Sequence, residues 1–390
     1  MRLAERLKAD GHNVHRVNFN CGDAVGWKLE ASSFRGPLER LPDFLSDKYV
    51  KYGITDQLLF GDRRPVHRPA VDLAERYGIR THVFEEGYFR PYWVTLEREG
   101  VNGHSLLPRD PDWFREVGKH LSDYGDGQPF KAPFWVRAAH DVSYHVANSL
   151  NPLFYSRYRT HAPINAAVEY AGYVRRFAKL RLCSRGDAEV VRRLASAGEP
   201  FYLLPLQLNS DAQIRDHSRF DSMFEVVEYV MESFARHVSG DTRLVIKNHP
   251  LDMGLVNYPR HVKALEQRFG LSGRVDYLET GDLISLLKAA RGVVTVNSTV
   301  GSLALQLKRP TLALSDPIYN LPGLTFQGTL DAFWQDGEKP DAELFRRFRN
   351  TVIHTTQVNG GFYHARPIEM AIENSLKFLE PEKSPLEELL

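Results

Sequence analysis

The chain has 390 residues, 43% hydrophobic and 25% charged, which is typical of a soluble globular protein that is too long for one ordinary core. Its formal net charge of +1 gives no global basis for binding nucleic acid, so an anionic ligand would need a local cluster of basic side chains. The two cysteines, Cys21 and Cys183, have no metal-ligand spacing around them, which favours a reducing compartment over a disulfide scaffold.

Helices and strands alternate in the first part of the chain. Helices are predicted over 1–10, 39–52 and 66–77, and the strands that follow them read HNVHRVNF, QLLFGD and IRTHVFEE. Strands separated by helices of this length predict βαβ units and a parallel sheet, whose ligands bind at the carboxyl ends of the strands.

Residues 104–200 are predicted to be mostly helical. The segment YAGYVRRFAKLRL at 170–182 interleaves apolar side chains with four basic ones, Arg175, Arg176, Lys179 and Arg181. It is either an ordinary amphipathic helix with a solvated basic face or a basic helix that contacts anionic lipid or a phosphate-bearing acceptor. Because no signal peptide and no membrane span are predicted, we expect a cytoplasmic protein that is at most peripheral to the membrane.

A second alternation begins with the strand PFYLLPLQL at 200–208. The strands TRLVIKNHP, VDYLE, GVVTVN and PTLALS follow, separated by helices predicted at 221–238, 260–269, 281–290 and 299–307. The fold class is therefore α/β, with two Rossmann-type, doubly wound parallel-sheet domains that by analogy face a cleft, as in the GT-B architecture. We predict an acceptor domain at 1–198 with a helical segment at about 104–198, a nucleotide-sugar domain at 199–340, and C-terminal helices at 341–390 that pack back on the first domain.

Polar residues follow four of the predicted strands at their carboxyl ends. The first place is the doublet Glu85-Glu86, where a turn-capping acid is the ordinary interpretation. A register slip of one residue would exchange the faces of these two acids, so the pattern does not decide which would act. The second place is the loop after PLQL, which contains Asn209, Asp211 and Gln213. Turn chemistry favours such residues, but Asp211 would also point into the interdomain cleft.

The third place is the end of the strand TRLVIK. Lys247 and His249 are two residues apart and project to the same side, which suits a phosphate or carboxylate, and Pro250 ends the ladder. A solvated strand end is the ordinary interpretation of this pattern.

The fourth place is the segment VNSTVG. Asn297 ends a buried strand, and Ser298 and Thr299 occupy the N-cap positions of the next helix, where N–H groups and the helix dipole favour phosphate. Gly301 would let the helix start lie close to a ligand. The alternative is that Ser298 only caps the helix.

Several common motifs are missing from the sequence. It contains no P-loop, no early GxGxxG and no GxSxG, and its one D-x-D string, Asp110-Pro-Asp112, lies in a proline-rich loop and is weak evidence for a metal. We predict no metal and no cofactor, because a helix terminus and basic side chains can neutralise a leaving phosphate in a GT-B enzyme.

Four motifs in order, EEGYFRPYWVTLEREGVNGHS, PLQLNSDAQI, IKNHPLD and VNSTVGSLALQLKRPTLAL, resemble the capsule polysaccharide biosynthesis proteins of the KpsS and KpsC type. The resemblance covers about residues 10–330 and is closer to the single-module KpsS type. It implies a β-Kdo transferase that takes Kdo from CMP-β-Kdo and starts the oligo-Kdo linker on a lysophosphatidylglycerol anchor in Gram-negative bacteria. The inner face of the inner membrane and a capsule assembly and export complex are the partners that it implies.

The resemblance also implies roles for individual residues. Asp211 matches the proposed nucleophile of related Kdo transferases, and Glu86 matches the acidic position near the acceptor. The predicted CMP-binding set is Lys247, His249, Pro250, Asn297, Ser298 and Thr299. The predicted substrate-binding set is Glu85, Arg90, Gln207, Gln213 and Arg215, in which Arg90 and Arg215 are alternative partners of the Kdo carboxylate.

Two other interpretations remain open at the level of sequence. One is another GT-B enzyme, such as a nucleotide-sugar epimerase or a polyol-phosphate transferase. The other is a non-catalytic scaffold that binds lipid-linked capsule and passes it to the exporter.

Overall fold

The computed structural model describes residues 1–131, 133–159, 166–196, 198–209, 214, 218–252, 254 and 256–390. The chain forms two compact units. The first consists of residues 1–107, 121–161 and 350–390, and the second of residues 108–120 and 162–349. Each unit combines a sheet with helices, which confirms the α/β class.

The strands are β1 (Val17–Asn18), β2 (Ser32–Ser33), β3 (Asp56–Phe60), β4 (Arg80–Glu86), β5 (Trp93–Arg98), β6 (Phe201–Pro205), β7 (Arg243–Lys247), β8 (Val275–Leu278), β9 (Gly292–Thr295), β10 (Thr311–Ala313) and β11 (Gln357–Asn359). The helices are α1 (Arg2–Ala9), α2 (Cys21–Val25), α3 (Leu41–Tyr52), α4 (Arg68–Tyr77), α5 (Pro111–Val117), α6 (Phe134–Asn148), α7 (Asn151–Phe154), α8 (Ala166–Ser196), α9 (Met223–His237), α10 (Tyr258–Arg268), α11 (Leu283–Ala289), α12 (Thr299–Gln306), α13 (Leu330–Asp336), α14 (Ala342–Thr356) and α15 (Ala365–Leu379).

Local chemistry explains why the predicted helices begin and end where they do. Helix α3 has a proline in its first turn and ends at Gly53, whose φ of 57° is the left-handed conformation that favours glycine at a helix end. Helix α4 has the same design, with a proline in its first turn and Gly78 at φ 63° after its last residue. The strand predicted at HNVHRVNF, by contrast, pairs only over β1.

The first unit has a four-stranded sheet in the order β11-β5-β4-β3. Only β3 and β4 are parallel, whereas β5 runs antiparallel to β4 and to β11, so the fully parallel sheet expected here is wrong for this unit. The link from β4 to β5 spans only residues 87–92, which is too short for a crossover and forces a hairpin. The motif EEGYFRPYWVTLEREGVNGHS therefore contains a second strand, which begins at Trp93 and which the sequence did not predict.

The second unit has a five-stranded, fully parallel sheet in the order β10-β9-β6-β7-β8. Its central strands are buried along their whole length, as expected when helices cover both faces. One face packs against α9, α10 and α13, and the other against α8, α11 and α12. The order reverses between β6 and β9, which makes their carboxyl ends the topological switch point.

The observed division of the chain differs from the predicted domains in three segments, because residues 108–120, 162–198 and 341–349 all belong to the second unit. We assigned residues up to 198 to the first domain, whereas residues 162–198 belong to the second unit. The physical reason is that Val191 and Leu194 of α8 are buried against the sheet of the second unit. The unit boundary near the end of the chain lies between Arg349 and Asn350, within α14.

Candidate functional site

The carboxyl edge of the second sheet carries a reciprocal pair of hydrogen bonds at the switch point. The Gln207 side-chain nitrogen donates to Oδ1 of Asn297 at 2.9 Å, and the Asn297 backbone N–H donates to Oε1 of Gln207 at 3.2 Å. Gln207 is buried and Asn297 is half-buried. The pair fixes the ends of β6 and β9 on either side of the place where such sheets bind ligands.

The loop after β6 includes three of the predicted site residues. Asp211, Gln213 and Arg215 lie outside the described residues. Asn209, which precedes them, accepts a hydrogen bond from the Met223 backbone N–H at 2.9 Å through its side chain. Asn209 therefore helps to cap the start of α9. This is a structural role, of the ordinary kind that turn residues have.

The start of α12 is built as a capped helix terminus. The Ser298 hydroxyl accepts a hydrogen bond from the Val300 backbone N–H at 3.2 Å, and Thr299, half-buried, is the first residue of the helix. Gly301 has a different role from the one we expected. A Cβ at this position would lie 2.1 Å from the Tyr319 hydroxyl oxygen, so the glycine makes room for Tyr319 rather than for a ligand. The same hydroxyl donates to the Ser298 carbonyl at 2.6 Å and fixes the turn before the helix.

Lys247 is the last residue of β7, and its side chain is buried. Its ammonium group donates to the Asn248 carbonyl oxygen at 3.4 Å. Burial lowers the pKa of Lys247, the Asp187 carboxylate opposes this shift, and Arg176 reinforces it. A partly desolvated cation at this edge suits an anionic ligand, which would replace the contacts with water that burial has removed.

The turn that follows Lys247 is held by Asn248, which sequence reasoning passed over within the KNHP motif. The Asn248 side-chain nitrogen donates to Glu279 at 3.0 Å and to Asp252 at 3.2 Å, and its Oδ1 accepts the His249 backbone N–H at 2.8 Å. The position of the His249 backbone is therefore set by a buried amide.

The tautomer of His249 follows from its contacts. Its Nδ1 accepts the Leu251 backbone N–H at 3.1 Å, so the neutral ring carries its proton on Nε2. The ring is half-buried, and Pro250 beside it is exposed. An Nε2–H group held in this way is a donor that suits an anionic oxygen.

Beneath this turn lies a buried ion pair between Arg176 of α8 and Glu279, which follows β8. The guanidinium donates to a Glu279 side-chain oxygen, and the two side chains are 3% and 6% exposed. Asp187 lies further along α8, and its carboxylate accepts the Glu279 and Thr280 backbone N–H groups at 3.1 and 2.9 Å. Arg176, expected on a solvated or lipid-facing basic helix, is instead an internal support of the β7 and β8 ends. Arg181, in the same helix, is exposed.

The first unit carries the acidic doublet, and the strand register now separates its members. Glu85 lies opposite Thr95 and Glu86 opposite Val94, so their side chains point to opposite faces of the sheet. Glu85 accepts the Glu86 backbone N–H at 3.0 Å, and its other oxygen lies 3.2 Å from where a Cβ on Gly61 would be. Glu85 is thus packed against the loop that follows β3.

Glu86 shares its face with a group of aromatic and cationic side chains. Phe84, on the same face, packs against Phe362 with ring centroids 6.2 Å apart. Burial raises the pKa of the neighbouring Tyr363, the guanidinium of Arg137 opposes the shift, and the Glu86 carboxylate reinforces it. Arg137 lies over the Tyr363 ring at 4.9 Å. Neither Tyr363 nor Arg137 was predicted as a neighbour of Glu86, because both are distant from it along the chain.

Arg90 forms a long ion pair with Glu86. Its Nη2 lies 4.0 Å from Glu86 Oε2, and the two side chains are 55% and 34% exposed. An exposed pair at this distance holds the carboxylate only weakly. Glu86 therefore keeps solvent access as well as cationic neighbours, which is compatible with a base that takes a proton.

The part of the chain that the structure describes contains no group of three or more His, Cys, Asp or Glu side chains arranged to hold a metal ion. The side chain of Asp110, in the D-x-D string, caps α5 by accepting the Asp112 backbone N–H at 2.8 Å. Among the described helices, none combines the length and apolar character that crossing a bilayer requires.

Together, the strand order and the polar edge define an α/β protein whose second unit is a doubly wound sheet with a candidate ligand site at its switch point. Residues 55–363 match the family model described as capsule polysaccharide biosynthesis protein, and the chain belongs to this family. It is 35% identical to the capsule polysaccharide export protein KpsS of Escherichia coli over 93% of each chain. It is also 35% identical to the capsule polysaccharide modification protein LipB of Neisseria meningitidis serogroup B, over 93% of this chain and 88% of LipB. Among solved structures, the KpsC beta Kdo 2,7 transferase of Thermosulfurimonas dismutans is 13% identical with a TM-score of 0.41, over 86% of this chain and 89% of that one.

Proposed function

We propose that this chain is a retaining β-Kdo glycosyltransferase of capsule biosynthesis. In this proposal CMP-β-Kdo is the donor and a lysophosphatidylglycerol-like lipid is the acceptor on which the oligo-Kdo linker begins. The reaction takes place on the cytoplasmic side of the inner membrane of a Gram-negative bacterium. The donor binds at the carboxyl edge of the second sheet, and the acceptor binds near Glu86.

Departure of CMP needs charge neutralisation more than proton donation, because a phosphate monoester is already a good leaving group. Lys247, the Nε2–H of His249 and the capped start of α12 at Ser298 provide it in this proposal. The lowered pKa of Lys247 predicts a pH dependence: donor binding needs the ammonium form and weakens as pH rises through a pKa below the ordinary 10.5.

Retention of configuration requires two displacements at the anomeric carbon. In the first, the Asp211 carboxylate forms a bond to the anomeric carbon while the bond between that carbon and the CMP oxygen breaks. In the second, the acceptor oxygen bonds to the same carbon, the Asp211 ester breaks, and Glu86 takes the acceptor proton. The Kdo carboxylate needs a cation, for which Arg90 and Arg215 are the candidates.

The observation that carries the proposal is the convergence of polar groups at one sheet edge. Gln207 and Asn297 bracket the switch point. Lys247 ends β7 and His249 follows it closely, while Ser298 caps the start of α12. A fully parallel sheet with this strand order binds nucleotides and sugar nucleotides at that edge in many folds. Membership in a capsule biosynthesis family supports a donor sugar that is used for capsule.

The test is to incubate the protein with CMP-Kdo, generated in situ, and a lysophosphatidylglycerol analogue. We expect a product one Kdo residue heavier than the acceptor by mass spectrometry, and an Asp211→Ala variant that forms none. Intact-mass detection of a Kdo adduct on the protein, absent from the variant, would locate the nucleophile. Turnover of a UDP-sugar without any Kdo transfer would refute the proposal in favour of an epimerase or another transferase.

A second candidate function is a non-catalytic export scaffold, which the name of the Escherichia coli relative favours. Asp211→Ala separates the two in cells that depend on this gene for capsule. A scaffold with that substitution keeps capsule at the surface, whereas a transferase loses it. Protein levels measured in the same cells exclude loss by degradation.

A further inference from the structure

Helices α6 and α7 present apolar side chains to solvent. Trp135 and Val146 of α6 and Leu153 of α7 are 79%, 64% and 77% exposed. Within α6, Trp135, Val142 and Val146 are seven and four residues apart, which places them on one side of the helix. Leu150 and Phe154 extend the exposed apolar surface to the end of α7. We refer to these six side chains as the α6–α7 apolar surface.

The opposite side of the same segment is polar, and it is the side that packs. Asn148 accepts the Gly22 backbone N–H at 2.8 Å, Asn151 accepts the Cys21 backbone N–H at 2.8 Å, and the Tyr144 hydroxyl accepts from the Asn20 side chain at 2.9 Å. These bonds satisfy the amides at the start of α2. A surface helix ordinarily buries its larger apolar side chains, whereas the described part of α6 buries only Ala147, in a small cluster with Cys21 and Tyr155, and leaves a tryptophan and two valines exposed. The hydrogen bonds to α2 hold it in that orientation.

The surroundings of the α6–α7 apolar surface are cationic. Residues 131–159 contain four basic residues, Lys131, Arg137, Arg157 and Arg159, and a single acid, Asp141. Lys131 precedes α6, and Arg157 and Arg159 follow α7, and all three are exposed. The local excess of positive charge contrasts with the net charge of +1 for the whole chain.

We propose that the α6–α7 apolar surface docks on an anionic phospholipid bilayer. Trp135, Val146 and Leu153 would enter the boundary between head groups and acyl chains, and the cations at both ends would contact lipid phosphates. Exposed apolar side chains flanked by cations match the layered chemistry of an anionic bilayer, in which acyl chains lie beneath the phosphates. The purpose of this docking rests on the proposed function, since a transferase with a lipid acceptor has to reach the bilayer.

The test is cosedimentation of the full chain with vesicles of phosphatidylcholine alone or with a quarter of phosphatidylglycerol. We expect binding to the anionic vesicles that weakens as salt increases, and at least a tenfold weaker apparent affinity for the variant V146E/L153E. The matched control is Val50→Glu, because Val50 is 74% exposed on α3 of the same unit and is not part of this surface. Circular dichroism and thermal unfolding verify that the variants fold.

Three outcomes would overturn the docking proposal. The wild type fails to bind anionic vesicles, V146E/L153E binds as the wild type does, or light scattering shows a dimer that the double variant dissociates. The last result would assign the surface to a second copy of the chain. Transfer to a short-chain, water-soluble acceptor tests the proposed function separately, because V146E/L153E should retain it. Vesicle binding without any transfer would refute the enzyme and support the docking surface.

Discussion

Substituting Arg176 by Met tests whether the buried ion pair of Arg176 with Glu279 supports the carboxyl edge of the second sheet. Methionine keeps a long side chain in the site and removes the guanidinium that neutralises the Glu279 carboxylate. Both side chains are nearly inaccessible, and removing one member of a buried pair costs about 3 to 5 kcal/mol. Glu279 would still accept the Asn248 side-chain nitrogen at 3.0 Å, so we expect a loss near the lower end, about 3 kcal/mol.

A second substitution separates charge from packing. In the variant R176M/E279Q the neutral amide can still accept from Asn248 but needs no cation, so we expect it to recover more than half of the lost stability. The control is Arg268→Met, which breaks the exposed pair of Arg268 with Glu228 and should cost less than about 1 kcal/mol.

The assay is urea unfolding followed by circular dichroism, together with hydrogen exchange of the peptide that covers residues 243–252. Local exchange is needed because a chain with two units need not unfold in one step. The reasoning is refuted if Arg176→Met lies within about 0.5 kcal/mol of the wild type, a change typical of exposed surface sites. It is also refuted if the double variant is no more stable than the single one.

Three further predictions concern stability. Gly301→Ala should destabilise by about 1 to 3 kcal/mol, because its Cβ would overlap Tyr319, whereas Gly26→Ala, with open space around it, should change thermal unfolding little. Gln207→Leu should cost about 1 to 3 kcal/mol in urea unfolding through the two bonds lost at the switch point, and wild-type stability would contradict this. Burial would raise the pKa of the Asp56 carboxyl, but hydrogen bonds from its basic neighbours hold it at about 2, below the ordinary 3.8. Its stabilising effect is therefore present above pH 3.8 and is lost as pH falls through 2. Asp56→Asn should lie below the wild type at pH 7 and converge with it below pH 2, and a gap that does not change with pH would disprove the assignment.

Much of the second unit could be predicted from the sequence because its strands are buried on both faces. The run FYLLP of β6 is apolar throughout. Where a polar residue ends such a run, as Lys247 does in β7, it marks the edge of the sheet. The positions of Lys247 at a strand end and Ser298 at a helix start followed from this pattern, whereas Gln207 was predicted within a strand that ends earlier, at Pro205. The residues that join those ends did not follow, because Arg176 and Glu279 are 103 positions apart and no local spacing links them.

The first unit was harder to predict for two physical reasons. Strand β5 is buried at every residue, including Glu97 and Arg98, so its mixed sequence WVTLER does not have the alternation expected of a half-buried strand. Strand β11 is only three residues long and comes from the other end of the chain. Which acid of the doublet shares a face with Tyr363 depends on the register against β5, and a sequence alone does not set that register.

The pairing of β11 with β5 has a consequence for synthesis on the ribosome. Residues 357–359 form the edge of a sheet whose other strands lie between residues 56 and 98, so that sheet cannot be completed until residue 359 has emerged. The second unit ends at residue 349, so all of its strands have emerged by then. Domains usually fold in order from the N-terminus, but here the first unit is completed after the second. Until then, the nascent chain exposes the edge of β5 that β11 will cover.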